Sequence, residues 1–488
     1  MAIYFASDNN LPGRNGGNPA IGGNPYKDPS ELPSPWVLQS GTEYLFRCDT
    51  ETNFAAAFRS AAATAAPLVI GSWGSGARPI ITAYRLIDGS ECLECDVDTS
   101  GSSAVLTIPP VGGAGSTNLW RVPKTFFGLF AGNVWGNCTD VANVAGAGKI
   151  VPSAVREWCG SVAGGVTDSY GVVYSEGNPV DVYGELYASS FDEATFASHI
   201  SEQCAFSTLR ALGGFEISGL DMRLMNRNVL CYVASTTDIY DMARHSFNDI
   251  RSANVYRGIT VDGALDTYAP GIVYSSLRVY GNYAENLGSN FFDTSGNEGI
   301  VLNDARLYHN VVNGFARAYS AGGIYLPEVR TSDGSRILVE ENTFCNGDGG
   351  HYWPADGYAF YQEHDASDVE FRRNVAWGCK LSFIANRGTS NIVFSNNVAF
   401  ASDDVEPTAD GAYHSFITVN SSSPAGHSVR ISGNVAVGFV RFMSHTSSAT
   451  SHVDVLGNIS LGSGAISGSG SGANYEAIRA DTADTARI

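Results

Sequence analysis

Seven asparagines in the second half of the chain, each closing an apolar-X-X-Asn unit, constrain the fold more than any other feature. The units are Val279-Tyr-Gly-Asn282, Leu307-Tyr-His-Asn310, Val339-Glu-Glu-Asn342, Phe371-Arg-Arg-Asn374, Phe394-Ser-Asn-Asn397, Ile431-Ser-Gly-Asn434 and Val455-Leu-Gly-Asn458. Their Asn-to-Asn spacings are 28, 32, 32, 23, 37 and 24 residues. Between them run short apolar segments such as Gly299-Ile-Val-Leu302, Gly323-Ile-Tyr-Leu326, Leu381-Ser-Phe-Ile384 and Ser415-Phe-Ile-Thr-Val419. A repeat of this length with two or three strands per unit is the mark of a solenoid. Helical repeats would need unbroken 3.6-period segments of about ten residues or more, and these units have none. The uneven period suits a β-solenoid, where each coil keeps its strands and lets one loop lengthen. Asn fits the corners for two reasons: it tolerates a left-handed backbone, and stacked Asn side chains can hydrogen-bond along a ladder.

Composition agrees with this and excludes several classes. The 488 residues are 44% hydrophobic and 16% charged, with 55 Gly, which is wrong for a disordered chain and right for short strands and tight turns. A net charge of −20, from 49 acidic against 29 basic residues, argues against a nucleic-acid partner. Met1-Ala-Ile-Tyr-Phe is not the start of an ordinary signal peptide, and the apolar run near Ala55–Ile70 is broken by Arg59, Thr64 and Pro67. Synthesis in the cytoplasm without membrane insertion is therefore expected. The nine Cys are an odd, scattered set; Cys92-Leu-Glu-Cys95 lacks the further ligands of a zinc site, so free, buried or half-buried thiols are expected.

The first half is less regular. Residues 1–114 read as an N-terminal cap and first coils, with strands at Tyr44–Phe46 and Leu68–Ile70. A short capping helix is expected over the Ala-rich Phe54–Thr64, with Asn53 as its N-cap. Residues 115–210 show no period and read as an irregular insertion, with an amphipathic segment at Asp192–Cys204. Residues 211–461 form the main body, and 462–488 a Gly/Ser linker and C-terminal arm.

With these segments in place, the chain resembles the right-handed parallel β-helix proteins of the pectate-lyase-like superfamily, and among them bacteriophage tailspikes and polysaccharide depolymerases. The resemblance rests on Ile3-Tyr-Phe-Ala-Ser-Asp, Gly41-Thr-Glu-Tyr-Leu-Phe-Arg47, the Leu68–Ile81 segment and the Asn-ended rungs. It implies an all-β right-handed parallel β-helix that meets a bacterial surface polysaccharide. It also implies a homotrimer, with other phage tail proteins as partners and a place on the virion tail, or outside the cell after lysis.

Enzymes of this shape work on the outer face of a sheet, where side chains of successive coils align about 4.8 Å apart. A 23-residue offset sets Phe360, Tyr361, Glu363 and His364 beside Phe383, Ile384, Asn386 and Arg387. Strand ends add Asp304 and Glu328, and the His351–Asp365 segment holds Asp356. Hydrolysis of a glycoside needs two carboxylates about 5–9.5 Å apart, and Glu328 with Glu363 is the expected pair, with Asp356 or Asp304 as substitutes. Tyr325, Tyr352, Trp353, Tyr361 and Asn386 are the expected sugar contacts. A lyase would instead draw on His364 and Arg387, with Ca²⁺ as a possible aid; otherwise no cofactor is expected. A strongly acidic chain repels polyanions, which favours hydrolysis of a neutral or weakly acidic glycan.

Overall fold

The computed structural model describes residues 1–33, 37–53, 58–61, 66–98, 105–108, 110–113, 117–123, 125–130, 133–134, 137–138, 157–159, 170–188, 204–209, 213–232, 240–242, 244–261, 272–294, 300–316, 322–347, 357–363, 366–379, 381–386, 389–401, 415–420, 428–439, 441–446, 452–461, 467–469, 473–474 and 478–481. The chain is an all-β parallel β-helix. One 13-stranded parallel sheet runs from Ala2–Phe5 through Glu43–Arg47, Leu68–Trp73 and Phe215–Ser218, and on through the Asn-ended rungs to Ala473–Asn474. The strands Ala2–Phe5, Glu43–Arg47 and Leu68–Trp73 thus begin the solenoid.

A second sheet of 22 strands divides into two ladders after its long strands Asp221–Tyr232 and Arg251–Val261. The first ladder continues from Tyr283–Glu285 through Val311–Phe315, Val375–Trp377, Val398–Phe400 and Val435–Val437 to Asn458–Leu461. The second continues from Phe292–Asp293 through Gly322–Pro327, Tyr358–Glu363, Leu381–Asn386 and Ser415–Asn420 to Arg441–Thr446. A short four-stranded sheet, ending at Val329–Arg330, closes the coil on another side.

Period-2 alternation builds the core. Along the second ladder Ile259, Phe292, Ile324, Phe360, Phe383 and Ile417 share one register and are all buried. Identical neighbours stack: Phe360 on Phe383 at 5.0 Å and 10°, and Phe371 on Phe394 at 5.2 Å and 15°. Gly323 is required here, because a Cβ would meet the Phe344 ring at 2.2 Å.

All seven expected asparagines form one buried ladder, at the bend between the 13-stranded sheet and the first ladder of the second sheet. Each Nδ2 of Asn282, Asn310, Asn342, Asn374, Asn397 and Asn434 donates to the Oδ1 of the next Asn at 2.9–3.0 Å. That Oδ1 also accepts the backbone N–H of the preceding Asn, for example Asn342 N–H to Asn374 Oδ1 at 3.0 Å. The left-handed residue is not the Asn but the one before it: Gly281, His309, Glu341, Arg373, Asn396, Gly433 and Gly457 all have φ between 56° and 67° or just below, at 54–55°. The corner is therefore a left-handed turn followed by an inward amide, and Asn is selected for its side chain rather than its backbone.

Two local expectations are corrected. Phe58–Ala61, inside the expected capping helix, is a strand paired in parallel with Val37–Gln39 and with Cys204–Leu209. Asn53 ends a neighbouring strand and exchanges hydrogen bonds with the Tyr84 backbone at 3.0 and 3.2 Å instead of capping a helix. Alanine's helix propensity amounts to only tenths of a kcal/mol per residue, and parallel pairing on both sides outweighs it. The amphipathic reading of Asp192–Cys204 lies outside the described residues, apart from Cys204, which starts a strand.

The aperiodic stretch forms lateral, mostly antiparallel sheets that take up strands from Arg85–Leu86 to Leu186–Ala188. Ile87, Cys92, Val122, Val173 and Leu186 give them a small core of their own. Cys92, Cys95, Cys345 and Cys379 are buried free thiols and Cys48 is a half-buried one; burial pushes Cys92 up to about 11 and Cys95 up to about 12. No described helix is long and apolar enough to cross a membrane.

Candidate functional site

The outer row of the second ladder holds Tyr325 and Tyr361, and Glu328 and Glu363 stand at its strand ends. Because side chains alternate, the residues next to the buried Phe and Ile positions form the outward row: Thr260, Asp293, Tyr325 and Tyr361 in one register, which runs on through position 384 to Thr418. The Tyr325 and Tyr361 rings lie 4.9 Å apart at 36°, and Tyr358 contacts Tyr361 at 4.9 Å and 45°. Gly322 permits this approach, since its Cβ would stand 3.1 Å from that of Tyr361. Tyr325 and Tyr361 are half-buried, leaving part of each ring open above the sheet.

The strand Gly322–Pro327 ends at this row, and Glu328 follows in a left-handed turn with φ 54°. That turn leads directly into Val329–Arg330 of the short sheet, so Glu328 marks the corner between two sheets. On the next coil Glu363 ends its strand in register with Pro327. The expected acid pair therefore occupies adjacent coils, one step out of register. A coil spacing and one strand step give a Cα separation of ~6 Å. One step past the Gln362–Ala385 pair, Asn386 falls beside Glu363 and pairs in turn with Asn420.

The sequence reading missed Asp293. It is fully buried although it stands in the outward row, one coil before Tyr325. Arg257 approaches its carboxylate at 3.9 Å and Asn290 Nδ2 donates to it at 3.2 Å. Its neighbour Thr294 donates to the Pro327 carbonyl at 3.3 Å, which ties this coil to the Glu328 corner. A signal was present: the 32 residues from Asp293 to Tyr325 equal the Asn310–Asn342 spacing. The strand Phe292–Asp293 is only two residues long, too short to be read as a rung.

Asp304 stands elsewhere. It sits at the far end of the short sheet, exposed, with φ 48°, and its carboxylate is bound by Arg278 at 2.5 Å. The structure does not bring it together with Glu328. Asp356, His364, Arg387, Tyr352 and Trp353 lie outside the described residues. Among the described residues no group of three or more His, Cys, Asp or Glu is arranged to hold a metal ion.

A second charged cluster lies on the 13-stranded sheet and is an ion-pair network. Glu340, buried at 2% exposure, accepts from Arg306, from Arg372 at 2.8 Å and from Arg373 at 2.7 Å. Burial alone would raise its pKa, but the hydrogen bonds from Arg306 and Arg372 outweigh that and hold the carboxyl below its ordinary value. Tyr280 and Tyr308 stack beside it at 5.0 Å and 6°, and Arg306 covers the Tyr308 ring.

No protein-family model matches the chain, and no curated protein matches it in sequence. Among solved structures it is similar to the GH136 lacto-N-biosidase from Eubacterium ramulus, with 10% identity and a TM-score of 0.45 over 97% of this chain and 67% of that one. It is similar to XylC in complex with xylose at 11% identity and a TM-score of 0.37, over 94% and 70% of the two chains. The Gp54 tailspike of Acinetobacter baumannii bacteriophage AP22, in complex with capsular saccharide, shares 10% identity at a TM-score of 0.24, over 86% and 64%.

Proposed function

We propose that the chain binds a bacterial surface polysaccharide along the Asp293–Tyr325–Tyr361 row and hydrolyses it with Glu328 and Glu363. The observation that supports this most is the placement of those two acids on adjacent coils beside paired tyrosines. A Cα step of ~6 Å lets two glutamates span the range glycoside hydrolysis uses. One carboxyl protonates the leaving glycosidic oxygen while the other carboxylate attacks the anomeric carbon or activates a water. The tyrosine faces stack on sugar rings, with Asn386 as a further sugar contact. On this reading the protein is a tailspike-like depolymerase, a homotrimer joined to other tail proteins and reaching its glycan on a virion. Its co-purification with phage particles tests that part.

The enzymatic part is tested with Glu328→Gln and Glu363→Gln, each assayed for release of reducing ends from host polysaccharide. Each is expected to lose activity at least about a hundredfold while keeping glycan binding, as general acid–base contributions of this size require. An unsaturated uronate product would replace hydrolysis with β-elimination. Binding without cleavage by the unaltered chain would leave a spike that only recognises glycan.

A further inference from the structure

Exposure along the tyrosine row changes abruptly at one coil. Tyr325 and Tyr361 are half-buried, but Thr260 and Asp293, in the same outward register on the two coils before them, are 0% exposed. An outward side chain on an open sheet face meets water, so something lies over these two. Among the described residues Thr260 Oγ1 and Asn290 Oδ1, three residues before Asp293, are sealed in without a hydrogen-bond partner. Sealing such oxygens costs stability, so the cover is not there to strengthen the fold at this point. The lateral subdomain stands where a cover is needed. It leaves the solenoid after Ile80–Thr82 and returns at Cys204–Leu209, which pairs with the long strand Asp221–Tyr232. Its strand Thr125–Phe130 lies against Asp221–Tyr232 and Arg251–Val261, and Asn133–Val134 lies against Arg251–Val261, the strand that carries Thr260.

We infer that the lateral subdomain closes the row at its Asp293 end, so that the site takes a glycan by its chain end and not along its middle. The inference rests on the glycan reading of the row and narrows it: sugar rings stack on Tyr325 and Tyr361, and the chain stops at the coil of Asp293. That coil is braced from within. Asn290 Nδ2 donates to the Asp293 carboxylate at 3.2 Å, Arg257 approaches it at 3.9 Å, and Thr294 donates to the Pro327 carbonyl at 3.3 Å. The last bond fixes the wall against the corner that carries Glu328. Glu328 follows the strand one coil beyond Asp293 and Glu363 ends the strand two coils beyond it, so the acids stand ~5 and ~10 Å from the wall along the axis. With a sugar residue about as long as one coil step, a bond between the acids leaves room on the wall side for only about one or two residues. In the other direction the row runs on through Leu381–Asn386 and Ser415–Asn420. Water then adds across that bond, its hydroxyl to the anomeric carbon and its proton to the leaving oxygen, and a mono- or disaccharide leaves from the chain end at each turnover.

The test is binding stoichiometry against glycan length. Host polysaccharide fractionated into several chain lengths is titrated calorimetrically with the Glu328→Gln chain, which leaves the glycan intact. One protomer per glycan chain is expected at every length; a number rising in proportion to length would overturn the inference. With the unaltered chain, a single mono- or disaccharide is expected from the first time point while the polymer keeps most of its viscosity. An early ladder of intermediate sizes would overturn it equally. Thr260→Val removes only a sealed hydroxyl and is expected to bind glycan within about twofold of the unaltered chain, whereas a loss of about tenfold in a folded variant would show that the hydroxyl reaches the glycan and that no wall stands there. One protomer per chain without reducing-end release would refute the hydrolytic reading and leave the closed end standing. Binding of no fraction would remove both.

Discussion

Replacing Asn374 with Ala removes one rung from the middle of the amide ladder. Asn374 Oδ1 accepts the Asn342 backbone N–H and the Asn342 Nδ2, both at 3.0 Å. Its own Nδ2 donates to the Val339 carbonyl at 2.8 Å and to Asn397 Oδ1 at 3.0 Å. All of this is fully buried, and water has no ready route to the broken bonds. The Ala variant therefore leaves two buried donors of Asn342 without acceptors. At ~1–3 kcal/mol for each such group the expected cost is about 4 kcal/mol, a large share of the ~5–15 kcal/mol that holds a typical domain. Asn282 supplies the comparison, because it begins the ladder and its Oδ1 accepts only the Ile250 N–H, at 3.0 Å. Asn282→Ala orphans one donor and is expected to cost about half as much. Coils of a solenoid unfold in part independently, so native-state hydrogen exchange is the appropriate measurement. In Asn374→Ala the amides around Asn342 are expected to lose protection by a factor of about a thousand, the equivalent of ~4 kcal/mol. A cost below about 1 kcal/mol, or equal costs at positions 374 and 282, would show that the ladder is not a chain of dependent bonds.

Three further outcomes follow from the packing. Glu340→Gln removes the charge that three arginines share in a buried setting and is expected to cost about 3 kcal/mol in chemical denaturation. Because the folded carboxyl titrates below its ordinary value of 4.5, its contribution is complete above that pH and fades as the pH falls through the lower, folded value. The unaltered protein should thus lose stability on acidification that Glu340→Gln does not lose; parallel pH profiles would contradict this. Gln362 lies fully buried between Leu326 and Ala385 with neither its Oε1 nor its Nε2 hydrogen-bonded, so Gln362→Leu should raise stability by about 2 kcal/mol in thermal melts, and a loss would point to bound interior water. Gly323→Ala drives a methyl group into Phe344 and should destabilise by about 2 kcal/mol, with a neutral result arguing that the Phe stack can slide.

The solenoid was legible in the sequence because its most demanding residue recurs. A buried amide that must give two hydrogen bonds and accept two has no substitute, so Asn appears at every corner from 282 to 458. The left-handed turns before it were not legible, because Gly281, Gly433 and Gly457 share that role with His309, Glu341, Arg373 and Asn396. Only the glycines announce such a turn by their type. The 23-residue offset correctly set Phe360 beside Phe383 and Tyr361 beside Ile384. It brought Glu328 and Glu363 to neighbouring coils, but the left-handed residue at 328 moves the acid one step beyond its partner's register. Asp304 shows the complementary difficulty. An acid after a strand marks a corner, but each coil has several, and only the chain path shows that this corner belongs to Arg278.

The same physics explains why the outer faces differ so much while the interior is uniform. Inward positions are fixed by stacking, so Phe, Ile and Val recur with little freedom. Outward positions carry no such requirement, and the three faces have diverged: an ion-pair network around Glu340, a tyrosine and carboxylate row around Tyr325, and an uncharged Val, Trp and Phe strip around Phe400. A face maintained only for solubility would tend toward mixed charge, as the 13-stranded sheet does. The other two depart from that default in opposite directions, one toward acids beside aromatics and one toward the absence of charge. Each departure is repeated over successive coils, which single surface residues cannot achieve by accident of position. The amide ladder is what makes such repetition usable, since a slip of one residue would turn every outward side chain into the core. Stability of the Asn corner and the alignment of both outer rows are therefore one property, and weakening Asn374 or Asn397 should loosen the Val, Trp and Phe strip and the tyrosine row together.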